Sequence, residues 1–179
     1  MLTDAKALRY DAAPYSYIAM PHPFQTTEQE VIAGYRLHYT MSRAKAAWLA
    51  AAFVLGVAAY IATGSPYAAG LAGGSVGVAV LHVVVRYLLI PNRGRRIYRQ
   101  QKNLQREYQF SWDDQGVSVH AEGYLENLRW ADITKAKENE AMVLLYRSDY
   151  NFSLFPRRRF SSAEEYAQFR SHLVPRLLG

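Results

Sequence analysis

The stretch AAWLAAAFVLGVAAYIATGSPYAAGLAGGSVGVAVLHVVV (Ala46–Val85) decides the fold, because it contains no Asp, Glu, Lys or Arg. The tripeptide Gly64-Ser65-Pro66 divides the apolar sequence into two segments, 46–63 and 67–90. As α-helices these segments would be about 27 Å and about 36 Å long. The hydrocarbon core of a bilayer is about 30 Å thick, so each segment can cross it. The sequence therefore predicts a transmembrane helical hairpin over residues 46–90.

The rest of the chain divides into three segments. Residues 1–45 are an N-terminal segment with a predicted helix over about 27–42, which Thr27 and Glu30 would begin as a capping box. Residues 91–106 are a basic juxtamembrane segment. Residues 107–179 are enough to bury a core of their own.

The segment 107–179 has the pattern of a small β domain. Tyr108, Phe110 and Trp112 alternate with polar residues, which is typical of a half-buried strand. Six predicted strands are separated by turn residues at 113–116, 122–123, 139–140 and 149–151. A final helix follows, capped by Ser161 or Ser162. Its predicted apolar stripe consists of Ala163, Tyr166, Phe169, Leu173 and Leu177. The fold class is therefore predicted as an α+β membrane protein, in which the hairpin precedes a small antiparallel sheet or open barrel with a C-terminal helix.

A further short strand is predicted over 15–20 in the N-terminal segment. Pro21 and Pro23 end this strand. Whether it joins the C-terminal sheet is left open.

Charge is distributed unevenly around the hairpin. The segment 86–106 carries seven Lys or Arg and no acid, whereas 107–179 carries nine Lys or Arg and eleven Asp or Glu. A nucleic-acid partner is not expected, because the basic excess lies beside the hairpin and not on the domain. Basic residues, including Arg43 and Lys45, flank both outer ends of the hairpin, and its turn has none. The positive-inside rule then predicts a multi-pass inner-membrane protein with both termini in the cytoplasm.

Candidate catalytic and metal-binding motifs are weak. The chain has no cysteine, which excludes disulfides and thiolate metal sites, and the spacing of its histidines does not suggest a metal site. Ser75 fits the nucleophile-elbow pattern G-x-S-x-G but lies inside an apolar run, and Ser42 fits S-x-x-K without its companion motifs. We predict no catalytic, cofactor-binding or metal-binding residue and no enzymatic activity.

Three segments resemble the YcxB-like family of bacterial membrane proteins. They follow the hairpin in the order YQFSWDDQGV (Tyr108–Val117), LRWADI (Leu128–Ile133) and FPRRRFSSAEE (Phe155–Glu165). The resemblance covers roughly residues 24–173. It implies a pleckstrin-homology-like (PH-like) barrel for the C-terminal domain, and the family offers no catalytic residue to carry over.

Residues in four groups are candidates for binding or packing. Contact with anionic lipid is predicted for Arg93, Arg95, Arg96, Arg99 and Lys102. Contact with a protein partner is predicted for Arg157, Arg158 and Arg159, the alternative being a solvated loop. Helix–helix packing, within the hairpin or between two copies, is predicted for Gly70, Gly73, Gly74 and Gly77, and Ala52 with Gly56 offers a similar face on the first helix. The fourth group consists of two pairs, each with two possible roles. His82 and Arg86 either pack, with the charge of Arg86 reaching the membrane surface, or bind a proton or ligand. Trp130 and Asp132 are either structural or in contact with a ligand.

These observations favour a membrane-anchored cytoplasmic interaction module that binds a protein partner or self-associates. The expected partners are membrane lipids and a protein. The alternative is a small transport or envelope-stress component acting through the hairpin, which would require polar residues at mid-membrane.

Overall fold

The first described helix begins at the predicted capping box. The computed structural model describes residues 18–19 and 24–176. Helix α1 (Glu28–His38) has Thr27 as its N-cap, whose hydroxyl accepts from the N–H of Glu30, and the Glu30 carboxylate accepts from the N–H of Thr27 at 2.8 Å. The two acids of its first turn, Glu28 and Glu30, and Arg36 of its last turn interact favourably with the helix dipole.

The apolar stretch forms two antiparallel helices. Helix α2 (Arg43–Thr63) ends at Gly64, which has a φ of 66° and so takes the left-handed conformation that favours glycine. Helix α3 (Pro66–Val84) begins with proline in its first turn, where the missing N–H costs nothing. Both helices are long and apolar enough to cross a membrane.

The second of these helices continues past the predicted segment end at residue 90. A π-helical turn (Val85–Leu89) leads into helix α4 (Ile90–Gln100), so that Pro66–Gln100 is one long helix. Pro91 lacks an N–H and would crowd an ordinary helical turn before it. In this turn the N–H of Ile90 donates instead to the carbonyl of Val85, five residues back, which gives the chain room to pass the proline ring.

A first antiparallel sheet, sheet A, combines the N-terminal segment with residues 107–129. Its strands are β1 (Ile18–Ala19), β2 (Phe24–Gln25), β3 (Glu107–Trp112), β4 (Gly116–Ala121) and β5 (Tyr124–Arg129). β3, β4 and β5 form a meander, and β1 and β2 both pair with the other edge of β3. The question left open by the sequence is thus answered: the N-terminal segment does add to this sheet. Ile18 and Ala19 belong to the strand predicted over 15–20, and its other residues lie outside the described part.

A second antiparallel sheet, sheet B, contains β6 (Lys135–Glu138), β7 (Met142–Tyr146) and β8 (Phe152–Pro156). Helix α5 (Ala163–Ser171) follows with Ser162 as its N-cap, and its predicted apolar stripe buries Tyr166, Phe169 and Leu173. Leu177, the last residue of that stripe, lies outside the described residues. The predicted α+β class, with helices, antiparallel sheets and a C-terminal helix, is confirmed.

The two sheets and α5 enclose one core, and α1 covers sheet B from outside. Phe110, Val143 and Phe169 are completely buried in the core. The alternate side chains of β7, such as Leu144, face α1 instead and pack against Leu37. β7 is therefore buried on both faces, which explains its uninterrupted apolar sequence. We refer to residues 107–173 as the β domain.

Helix α1 also packs against α4, so it lies between the long helix and the β domain. A glycine of α4 allows the close approach of α1. A Cβ at Gly94 would lie 2.8 Å from Cγ1 of Ile32, which is too close. On the opposite face of α1, a Cβ at Gly34 would lie 3.6 Å from Sδ of Met142, an ordinary van der Waals distance. The hairpin and the β domain are therefore joined by a helix that both of them contact.

Candidate functional site

The three consecutive arginines form a 3-10 turn after β8, and two of them contact the N-terminal segment of the same chain. Arg158 Nε donates to Oε1 of Glu30 at 2.6 Å, and Arg159 Nη2 lies 3.6 Å from Oε2 of Glu30. Arg159 also donates to the carbonyl of Gln25, and its guanidinium lies 4.2 Å from the centroid of the Phe24 ring. Of the arginines predicted as a partner contact, Arg158 and Arg159 thus fasten β2 and α1 to the β domain, whereas the Arg157 guanidinium lies over the Tyr166 ring of α5.

Glu30 is the acceptor in this arrangement and is only 8% exposed. Burial raises the pKa of its carboxyl, but hydrogen bonds from Arg158 and from the Thr27 N–H, together with the charge of Arg158, hold the pKa below its usual value. The same carboxylate therefore closes the capping box and pairs with two arginines.

The residues predicted to contact anionic lipid lie along one helix. Arg93, Arg95, Arg96 and Arg99 are exposed on α4, and Lys102 is exposed in the turn that follows it. Arg95 Nε lies 3.4 Å from Oε1 of Glu28 at the start of α1. Because α4 extends the long helix, successive residues lie about 1.5 Å further from the hairpin.

The close contact within the hairpin is made by Gly56 of α2, not by the four glycines named in α3. A Cβ at Gly56 would lie 2.7 Å from the backbone nitrogen of Ala72, so only glycine fits there. A Cβ added at any of the four predicted positions would meet nothing within 4 Å: Gly70, Gly73, Gly74 and Gly77. These four positions therefore do not make the close contact between α2 and α3, and packing between two copies stays a prediction.

The weak catalytic patterns have structural explanations. Ser75 lies inside α3, where its hydroxyl donates to the Ala72 carbonyl at 2.7 Å, so the strand–turn–helix of a nucleophile elbow is not present there. Ser42 is the N-cap of α2. Trp130 is buried and donates to the Asp113 carbonyl at 2.8 Å, and Asp132 accepts from Arg129 at 2.9 Å. Trp130 and Asp132 therefore both have partners within the chain, as the structural alternative predicts, and contact with a ligand stays a prediction.

A cluster of cations surrounds the end of α1, where the chain enters the hairpin. Arg86 Nη1 donates to the Arg36 carbonyl at 3.0 Å and to the Thr40 hydroxyl at 3.1 Å. Lys137 Nζ, from β6, donates to the His38 carbonyl at 2.9 Å. These bonds satisfy carbonyls of the last helical turn, which have no partner within the helix. Arg86 is therefore anchored to α1. We call residues 36–45 with Arg86, Lys135 and Lys137 the hairpin root.

The imidazole of His38 is enclosed by the β domain. Its Nδ1 lies 3.0 Å from the Tyr146 hydroxyl, and its ring stacks on Phe152 with the centroids 5.0 Å apart. Burial and the charges of Lys137, Lys135 and Arg93 lower the pKa of His38. Burial raises the pKa of Tyr146 to about 12. Both side chains are therefore uncharged at neutral pH.

A groove with a volume of about 700 Å³ separates the free edges of β5 and β8. Each strand pairs on one side only among the described strands. The register leaves the backbone groups of Leu125 and Asn127 on β5, and of Phe152 and Leu154 on β8, directed away from the paired strand. The lining includes three cations and one acid, Lys102, Arg106, Arg147 and Glu126.

Residues 112–173 match the model of a family described as YcxB-like protein. This chain carries a YcxB-like domain. The match runs from the last residue of β3 to the turn after α5 and covers about a third of the chain. It lies within the β domain, which we therefore call the YcxB-like domain. It confirms the predicted family resemblance. No curated protein and no solved structure matches the chain.

The sequence did not reveal several residues that the structure brings to the hairpin root and to α1. Lys135 and Lys137 alternate along a strand, which indicates a shared face of the YcxB-like domain. Nothing in the sequence shows that α1 covers that face. Likewise, the capping box singled out Glu30 but not its pairing with Arg158, which is 128 residues away.

Replacing Glu30 tests how the YcxB-like domain holds α1. The variant Glu30→Gln keeps a side chain that can complete the capping box but leaves Arg158 and Arg159 without their anion. We expect a loss of about 1.5–3 kcal/mol in the free energy of unfolding at neutral pH, measured by denaturation in detergent micelles.

The pH dependence makes this test specific. Because the pKa of Glu30 is lowered by folding, its stabilisation is complete above the unfolded value of about 4.3 and is lost as the pH falls through the folded pKa. The difference between wild type and variant should therefore shrink in acid. Glu28→Gln, which removes an exposed pair, should cost less than about 1 kcal/mol. Equal losses for the two variants would contradict the assignment.

Proposed function

We propose that the protein is a non-enzymatic interaction module anchored in the bacterial inner membrane by α2 and α3. The observation that carries this proposal is the exposure of apolar side chains along both helices, for example Leu55 at 64%, Ile61 at 79% and Leu81 at 61%. Contiguous exposed apolar surface of this kind is unfavourable in water. A lipid bilayer would cover it.

The proposed orientation places the YcxB-like domain in the cytoplasm. Arg43 and Lys45 begin α2, and Arg93 and Arg96 follow the exit of the long helix, whereas the turn at 64–66 has no charge. Trp48 and Tyr87 are exposed near these ends, at 76% and 59%, as expected of an aromatic belt. Both termini would then lie on the positive, cytoplasmic side.

Among the basic residues of α4, those closest to the hairpin are the best candidates for anionic lipid. If the boundary lies near Ile90, Arg93 is about 5 Å and Lys102 about 18 Å along the helix from it. Screening limits attraction to the bilayer to about 8–10 Å. We therefore propose lipid contact for Arg93, Arg95 and Arg96, with a smaller contribution from Arg99 and Lys102.

The arrangement of the YcxB-like domain supports a PH-like architecture. Two antiparallel sheets enclose one core, and a C-terminal helix packs into it through Phe169 and Leu173. The sheets stay apart along β5 and β8, as in an open barrel. PH-like domains serve mainly as binding scaffolds, so this architecture favours an interaction role.

The groove between β5 and β8 is the surface that we propose for a protein partner. Free strand edges can pair with an added strand. Lys102 and Arg106 favour an acidic strand, whereas Arg147 already pairs with Glu126 at 2.6 Å. A second copy of the chain is the alternative occupant. Transport through the hairpin is less favoured, because Ser75, the buried polar residue of the two apolar helices, already donates to a backbone carbonyl.

Labelling of single cysteines tests the anchor and its orientation, since the chain has no native cysteine. Ser65→Cys should react with a membrane-impermeant maleimide in cells whose outer membrane is permeable. Ser148→Cys, in the turn between β7 and β8, should react only after the inner membrane is opened. Labelling of Ser148→Cys in sealed cells would contradict the orientation, and extraction of the protein by alkaline carbonate would contradict the anchor.

Photo-crosslinking tests the groove as an interaction surface. A photoreactive amino acid at Tyr124, which lines the groove at the start of β5, should give a defined crosslinked product in cells. The same amino acid at Gln168, exposed on α5, should not. Tagged copies of the chain would show whether the product contains a second copy. No product from Tyr124, or equal products from both positions, would contradict the proposal.

A further inference from the structure

The hairpin root brings basic residues from distant parts of the chain to one place. Lys45 lies in the first turn of α2, which contains no acid. Lys135 and Lys137 come from β6, whose side chains at alternate positions share one face. Lys137 is held by its bond to the His38 carbonyl, and the ammonium of Lys135 lies 5.0 Å from the centroid of the Tyr146 ring.

This cluster has more positive charge than its neighbours neutralise. Asp149 pairs with Lys135, and the His38 carbonyl accepts one of the three N–H bonds that Lys137 can donate. The charges of Lys135 and Lys45 add to the effect of burial in lowering the pKa of Lys137. A bound anion would relieve this repulsion.

The position of the cluster indicates which anion it would meet. Trp48 follows Lys45 by one helical turn and is 76% exposed, and Tyr150 follows Asp149 and is 89% exposed. Such rings favour the boundary between lipid and water. On the proposed membrane orientation, on which this inference rests, the ammonium groups lie at the depth of lipid phosphates.

We propose that Lys45, Lys135 and Lys137 together bind the phosphate of an anionic phospholipid. The headgroup contacts the hairpin through Lys45 and the YcxB-like domain through β6. The lipid therefore holds the domain against the bilayer surface, in addition to the protein contacts of α1. This site is distinct from the basic face of α4.

Lipid binding to the full chain tests the proposal. The delipidated protein in detergent is titrated with phosphatidylglycerol or with phosphatidylcholine, and bound lipid is counted by native mass spectrometry. Each lysine removed should weaken binding about fivefold. The triple variant K45Q/K135Q/K137Q should therefore bind phosphatidylglycerol on the order of 100-fold more weakly. The matched variant R129Q/R157Q/R170Q removes the same charge from three exposed arginines of the YcxB-like domain outside the hairpin root and should retain nearly the wild-type affinity.

A double variant and a competition experiment separate lipid binding from loss of structure and from binding of free phosphate. K45Q/K135Q leaves the Lys137 bond to α1 intact and should weaken binding by about 30-fold, with an unchanged circular dichroism spectrum. Inorganic phosphate should displace the lipid no better than chloride at equal ionic strength. Equal losses in the two triple variants, no preference for phosphatidylglycerol, or displacement by inorganic phosphate would overturn the proposal. The cysteine-labelling experiment tests the membrane anchor and its orientation independently of lipid binding.

Discussion

Helix α1 has to bury two opposite faces at once, and the rest of the structure depends on this constraint. One face packs on α4, where Gly94 admits Ile32, and the other packs on sheet B, where Gly34 lies against Met142. A helix of eleven residues is marginal alone in water. Its stability therefore comes from the two surfaces that it joins, and the joint makes the hairpin and the YcxB-like domain one body.

Charged side chains contact both ends of this helix, and their charges interact favourably with its dipole. At the N-terminus, Glu30 accepts from Arg158. At the C-terminus, Arg86 and Lys137 donate to the last carbonyls. These three partners come from the turn after β8, from the long helix and from β6. The contacts thus orient the YcxB-like domain relative to the hairpin, and they leave its groove between β5 and β8 open.

Local features of the sequence were predictable, and long-range contacts were not. The capping box, the alternating strands and the cap at Ser162 depend on residues within four positions of one another. The pairing of Phe24 with Tyr108 and the bond between Glu30 and Arg158 join residues that no local pattern connects. Spacing likewise indicated small residues in both apolar helices but could not show that Gly56 is the one in contact. Pro91 looked like a helix boundary, and the π-helical turn before it lets the helix continue.

The distance between the long helix and the YcxB-like domain tests the central claim most directly. Spin labels attached to cysteines at Asn92 of α4 and Gln168 of α5, both exposed, report this distance by double electron–electron resonance in lipid nanodiscs. A domain docked through α1 gives a single narrow distance distribution. A broad distribution, as from a domain on a flexible tether, would contradict the account.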